Sequence, residues 1–171
     1  MKSSRKIALV AGGALVATVV AMTGYAVVAA HAAATVQVAA TPAEAIKERQ
    51  ALMKDQGKHA KAINEFVESG MGTAADVATH AAALKEDAGK IPALFPAGTG
   101  ADDGVAETAA KKEIWDDFAA FEAAASKLGD LAGAVEAAAA AGDKQQIADA
   151  FETMGKEGCG GCHSTFRLKK N

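Results

Sequence analysis

Cys159, Cys162 and His163 stand together in "CGGCH" near the end of the chain, and these are the only two cysteines in 171 residues. Two thiols three apart, with an imidazole next to the second, form the C-x-x-C-H signature of covalent c-type haem. Each thiol adds to a vinyl group of the porphyrin, and the histidine binds iron from the proximal side. On a helix, positions 159, 162 and 163 project towards one side. Gly160 and Gly161 weaken such a helix but let a bulky ring approach the backbone. Three other chemistries fit less well. A structural disulfide suits an exported chain but gives the histidine no role. A thioredoxin-like pair belongs in a βαβ context that the sequence lacks. A zinc site needs a fourth ligand, and His59 and His80 show no matching partner spacing.

An iron held by one histidine keeps a second axial position. Arg49 and Met53, four apart in "RQALMKDQG", share a helix face. A Met53 thioether as distal ligand gives His/Met ligation and a raised potential, as suits electron transfer. The competing role for Met53 is that of an adaptable core filler. Arg49 can pair with a buried haem propionate, or else be a solvated surface residue. Arg167 follows His163 by four and can lie beside the proximal imidazole, or simply complement the helix dipole. His59 and His80 read as surface or packing residues.

The elements that must position these groups are helical from residue 41 onward, with apolar residues every three or four. Thr41-Pro42-Ala43-Glu44 predicts a capped first helix running to about Ser69 and stopping at Gly70 and Gly72. Thr73 and Asp76 open the second, with Val77, Ala81, Leu84 and Ala88 inward and Gly89 at its end. "KIPALFPAGTGADDG", residues 90 to 104, is a crossover loop. The third helix, about 108 to 141, should bury Ile114, Trp115, Phe118, Phe121, Leu128 and Val135 and end at Gly142. Asp143 caps the fourth, about 144 to 168, which turns Ile147, Phe151, Met154 and Phe166 inward. The expected fold is all-α, an antiparallel four-helix bundle with haem bound between facing helices. Alanine dominates the buried stripes and aromatics are 5% of the chain. Small side chains leave room for a flat apolar cofactor.

The start of the chain reads differently. Lys2, Arg5 and Lys6 precede an apolar run and two A-x-A sites, Ala30 to Ala32 and Ala32 to Ala34. Residues 1–32 are therefore expected to be a secretory signal, with 33–41 a short linker and 42–171 the folded domain. The run from Ile7 to Ala30 is also long enough for an uncleaved membrane anchor. Net charge is −3, and −6 without the three leader cations, which argues against a nucleic-acid partner. Arg167, Lys169 and Lys170 form a small basic cluster at the other end.

From about Pro42 to Lys170 the chain resembles class II cytochromes c, the cytochrome c′ and cytochrome c-556 group. The likeness rests on "CGGCH" followed by "STFR", "RQALMK" on the first helix, "IPALFPAGT" in the crossover and "KKEIWDDFAAFEAAA" opening the third helix. The resemblance implies one haem c on Cys159 and Cys162, His163 as proximal ligand, and Arg49 and Gln50 near the haem edge. At the position of Met53 the c-556 type provides a methionine ligand, whereas the c′ type holds a residue that crowds the iron without binding it. "FPAGT" and "LMK" look more like the c-556 type. The expectation is a periplasmic electron carrier, not an enzyme, with His163 and Met53 as axial ligands and redox proteins as partners. The alternative is a five-coordinate cytochrome c′ binding NO or CO, with Met53 gating the distal pocket. A homodimer through the first two helices is a further arrangement implied by the resemblance.

Overall fold

Thr41 begins the first helix by turning its hydroxyl back on the chain. The computed structural model describes residues 41–169. In it the Glu44 N–H donates to Thr41 Oγ1 at 3.3 Å, and the Thr41 N–H donates to the Glu44 carboxylate at 2.7 Å. This closes a capping box with Pro42 in the first turn, where its missing N–H costs nothing. Helix α1, Pro42–Ser69, then runs to Gly70, whose left-handed backbone (φ 73°) ends it. Thr73 and Asp76 repeat the device for α2, Ala74–Lys90. The crossover contains two short 3₁₀ turns, Pro92–Leu94 and Ala101–Asp103.

The third rod differs from expectation in where it starts. Its helix begins at Glu113, not near 108, and divides into α3, Glu113–Asp116, and α4, Phe118–Ala141. The reason lies in the backbone groups upstream. The Lys111 N–H donates to Phe166 O at 3.1 Å, the Leu168 N–H donates to Ala109 O at 2.8 Å, and Ala110 forms an isolated antiparallel bridge with Arg167. Groups spent on the end of the last rod cannot also build a helix. At Asp117 the backbone leaves helical geometry (φ −141°, ψ 75°), and its carboxylate accepts from the Ala120 N–H to cap α4.

Asp143 caps the fourth rod by accepting from the Gln145 and Gln146 N–H groups. This rod is not one uniform helix. It comprises α5, Lys144–Thr153, a π-helical stretch, Met154–Gly160, and α6, Gly161–Phe166, after which Arg167 is extended. Main packing is α2 on α4, α1 on α2, and α4 on α5 and the π stretch. Ile63, Val77, Leu84, Phe121, Leu128, Val135, Ile147 and Met154 fill the core, and buried Ala81, Ala125 and Ala132 let the rods approach closely. Trp115, Phe118 and Phe151, expected inside, are only half-buried. The result is an all-α four-helix bundle. The leader and linker before Thr41, and Lys170, lie outside the described residues. No described helix is long and apolar enough to cross a membrane.

The caps carry an acid-sensitivity prediction. Asp143 sits below the ordinary carboxylate range, chiefly through the Gln146 backbone N–H, and Asp76 does so through the Thr73 hydroxyl. A carboxyl with a depressed folded pKa contributes stability above its unfolded pKa and loses it as pH falls through the folded value. Asp143→Asn keeps a capping oxygen but not the titration. Its melting temperature should therefore fall less steeply than the parent's between about pH 5 and 2.

Candidate haem-binding site

The last rod meets α4 where its side chains are smallest. A Cβ added to Gly158 would lie 3.0 Å from Leu128 Cδ1 and 3.4 Å from Leu131 Cδ1, so only glycine gives this close approach directly before the cysteine pair. A Cβ at Gly160 would lie 3.2 Å from the Gly155 carbonyl oxygen, within the widened turn itself. Gly160 therefore also serves the π stretch, besides the room for a ring expected from the sequence. Wide turns of this kind tend to occur at functional sites. Cys159 lies in the last turn of the π stretch, Cys162 and His163 lie in the first turn of α6, and all three are half-buried.

An aromatic ladder fixes the end of this rod. Phe166 meets Phe121 edge-on with centroids 5.3 Å apart, and Phe121 meets Phe95 of the crossover at 4.8 Å. The Arg49 guanidinium lies over Phe95, 4.6 Å from its centroid. Lys111 Nζ donates to Thr165 O at 2.9 Å.

Burial pushes the Cys159 thiol up, and burial together with the neighbouring Cys159 does the same for Cys162. Both are free thiols. Reactive redox cysteines need the opposite shift. Burial first, and then the Arg167 charge, hold His163 below the ordinary histidine range, which favours the neutral imidazole a metal requires. Exposed Arg167 is thus within electrostatic reach of His163, and its N–H donates to His163 O at 3.2 Å.

On α1, Arg49 is 3% exposed. It donates to Thr99 Oγ1 at 2.8 Å, to Thr108 Oγ1 at 2.7 Å, and to the Thr99 carbonyl. Among the described residues no carboxylate pairs with it, and burial lowers its pKa. Exposed Gln50 donates to Glu107 O at 2.8 Å. Both side chains therefore hold the crossover. Met53 and Leu52 are half-buried and pack against the same apolar cluster as Cys159, Cys162, Phe118 and Leu131.

Three features went unread in the sequence. Thr99 and Thr108 receive Arg49. Gln56, three after Met53, is a buried amide whose Nε2 has no partner among the described residues. His59 and His80 form a pair, Nδ1 to Nδ1 at 2.9 Å, with Asp55 3.5 Å from His59 Nε2. The matched Asp-x-x-x-His spacings, Asp55 to His59 and Asp76 to His80, were the available signal. No group of three or more potential metal ligands forms among the described residues.

These residues fit a covalent haem. The donor set is two protonated thiols and a neutral imidazole on one rod, and the cysteines share an apolar cluster with half-buried side chains from α1 and α4. A buried guanidinium without a carboxylate suits an anionic propionate, because an uncompensated buried charge is costly.

The family model described as Cytochrome C′ matches residues 44–167, nearly all of the bundle. The chain belongs to the cytochrome c′ family. It is 38% identical over 128 residues to cytochrome c′ of Pararhodospirillum photometricum, covering 75% of this chain and 99% of that protein. A cytochrome c-556 of Agrobacterium tumefaciens is 45% identical over 80 residues, 47% of this chain and 60% of that one. Among solved structures, a variant of cytochrome c prime from Alcaligenes xylosoxidans with carbon monoxide bound superimposes with a TM-score of 0.66 at 29% identity, covering 76% of this chain and 98% of that one. The cofactor of the family is a single haem c, covalently attached, and it is the cofactor of this chain.

Proposed function

We propose that the protein is an exported, periplasmic haem protein whose iron keeps one axial position open for NO or CO. Cys159 and Cys162 carry the two thioether bonds and His163 is the proximal ligand. When bound, the haem supplies an iron that takes up a diatomic ligand and can change oxidation state by one electron. Met53 crowds the distal side, where an unbranched thioether can swing aside to admit a small molecule. Arg49 offsets a propionate charge while holding Thr99 and Thr108, and Gln50 steadies the crossover at the haem edge. The Arg167 charge opposes imidazolate formation at His163. In this reading the protein binds its ligand without bond chemistry of its own, and His59 and His80 are engaged with each other between α1 and α2.

The observation that carries the proposal is the cytochrome c′ match, which extends over nearly all of the bundle, together with the carbon monoxide complex of a variant of a structural relative. The sequence alone favoured a His163/Met53 electron carrier, and the comparisons weigh against that order. The carrier stands as second reading because of the 45% identity to a cytochrome c-556. Absorption spectra separate the two. The ferric protein should be high spin, without a far-red sulfur-to-iron charge-transfer band, and the reduced protein should take up CO. A strong far-red band with no CO uptake overturns the proposal in favour of the carrier, and Met53→Ala should then turn the spectrum high spin.

A further inference from the structure

His59 on α1 and His80 on α2 face each other away from the cysteine-bearing rod. Their Nδ1 atoms are 2.9 Å apart, and with centroids 5.1 Å apart and planes tilted by 49° the rings meet at their nitrogen edges, not face to face. At that separation only one of the two Nδ1 atoms can carry a proton, so the other presents a lone pair. Each histidine follows an aspartate by one helical turn, His59 after Asp55 and His80 after Asp76. An Asp55 carboxylate oxygen stands 3.5 Å from His59 Nε2, while Lys58 takes the other oxygen at 3.1 Å. A carboxylate at Nε2 draws the ring proton there and frees Nδ1, which is how ligating histidines are oriented at metal sites. The His59 side chain is 24% exposed and His80 is half-buried, so water reaches the pair.

We infer that His59 and His80 together bind a divalent late first-row metal ion, Cu²⁺ foremost, through their two Nδ1 atoms. The separation of those atoms carries the inference. With metal–nitrogen bonds of about 2.0 Å, ligands at right angles stand about 2.8 Å apart and tetrahedral ones about 3.3 Å. The observed 2.9 Å is near the right-angle bite of a tetragonal ion, and Cu²⁺ heads the affinity order for nitrogen sites. Binding turns each ring so that its Nδ1 lone pair meets the ion in place of a water. The proton shared between the rings passes through water to the free Nε2 of His80, and both imidazoles stay neutral. Among the described residues no third ligand joins the pair, so water keeps the remaining positions. This makes an exchangeable site, unlike the closed four-ligand centre of a structural zinc. Because the two ligands come from different helices, the bound ion ties α1 to α2 and favours the folded bundle.

The test adds Cu²⁺ alone to the ferric, full-length holoprotein at neutral pH and follows it by calorimetry and electron paramagnetic resonance. The copper signal should show splitting from two imidazole nitrogens and should be separate from that of the haem iron. His80→Gln removes one ligand and should weaken binding by more than roughly a hundredfold, whereas Asp55→Asn, which disturbs only the orientation of His59, should cost roughly ten- to a hundredfold and keep the two-nitrogen spectrum. His31 and His163 are the other histidines of the chain, and neither variant touches them. Copper bound equally tightly by His80→Gln therefore lies elsewhere and overturns the inference. A parent that takes up no copper overturns it too, and leaves the pair a packing contact. Should His80→Gln not fold, the parent alone decides: excess Cu²⁺ should raise its melting temperature, and a copper spectrum with fewer than two imidazole nitrogens overturns the site.

Discussion

Replacing Cys159 and Cys162 together by alanine should abolish covalent haem. The purified double variant should show the bare polypeptide mass, and acidified organic solvent should extract all colour from any haem that remains lodged. No other cysteine can substitute, because the sequence contains only these two. Stability should fall with attachment. Leu52, Met53, Phe118 and Leu131 are half-buried side chains packed against the same apolar cluster as the cysteines, and a ring against them removes apolar surface from water. Losing that filler is comparable to a large-to-small core substitution, about 3–5 kcal/mol, and should appear in urea unfolding followed by circular dichroism. A parent protein with no covalent haem, or a double variant as stable as its parent, would contradict this account of the site.

Arg49→Leu should be the most damaging single change on α1. It removes three hydrogen bonds to buried Thr99 and half-buried Thr108 and the contact with the Phe95 ring. Thr99, fully buried, would keep only its own hydroxyl bond to Pro96 O, while its carbonyl would lose the Arg49 donor. An unsatisfied buried acceptor adds its desolvation cost to the bonds lost, so the expected destabilisation is about 2–4 kcal/mol. Arg49→Lys should recover little, since one ammonium cannot reproduce the planar fork that spans two threonines. Urea unfolding gives the magnitude. Limited proteolysis should also show new cleavage between residues 96 and 108, where the crossover loses its anchor.

The caps were legible because their chemistry is local. Thr41 with Glu44, Thr73 with Asp76, and Gly142 past the third rod each act within four residues, and each helix end follows. The C-x-x-C-H group was legible for the same reason. What escaped were partnerships across the chain. Nothing near Lys111 says that its backbone will serve Phe166, fifty-five residues on, so periodicity alone puts the start of the third helix about five residues early. The spacing from Met53 places Arg49 on α1 but says nothing of its partners, Thr99 and Thr108, some fifty residues on. Gln56 and His59 look like ordinary helical polar residues until the neighbouring rods are in place. One shows itself by lacking a partner, and the other by having an unexpected one.

The widened turns of the last rod have a consequence for chain length. An ordinary α-helix advances about 100° per residue. Nineteen steps from Ile147 would then leave Phe166 about 100° around the axis, yet these residues are 0% and 8% exposed and both belong to the core. Eighteen steps would return them to the same bearing without any unwinding. The stretch Met154–Gly160 therefore behaves as a one-residue insertion absorbed by a looser screw, and its slack sets the direction in which the imidazole of His163 leaves the rod. A shortened chain lacking one residue there could run as plain α-helix with both ends still in register.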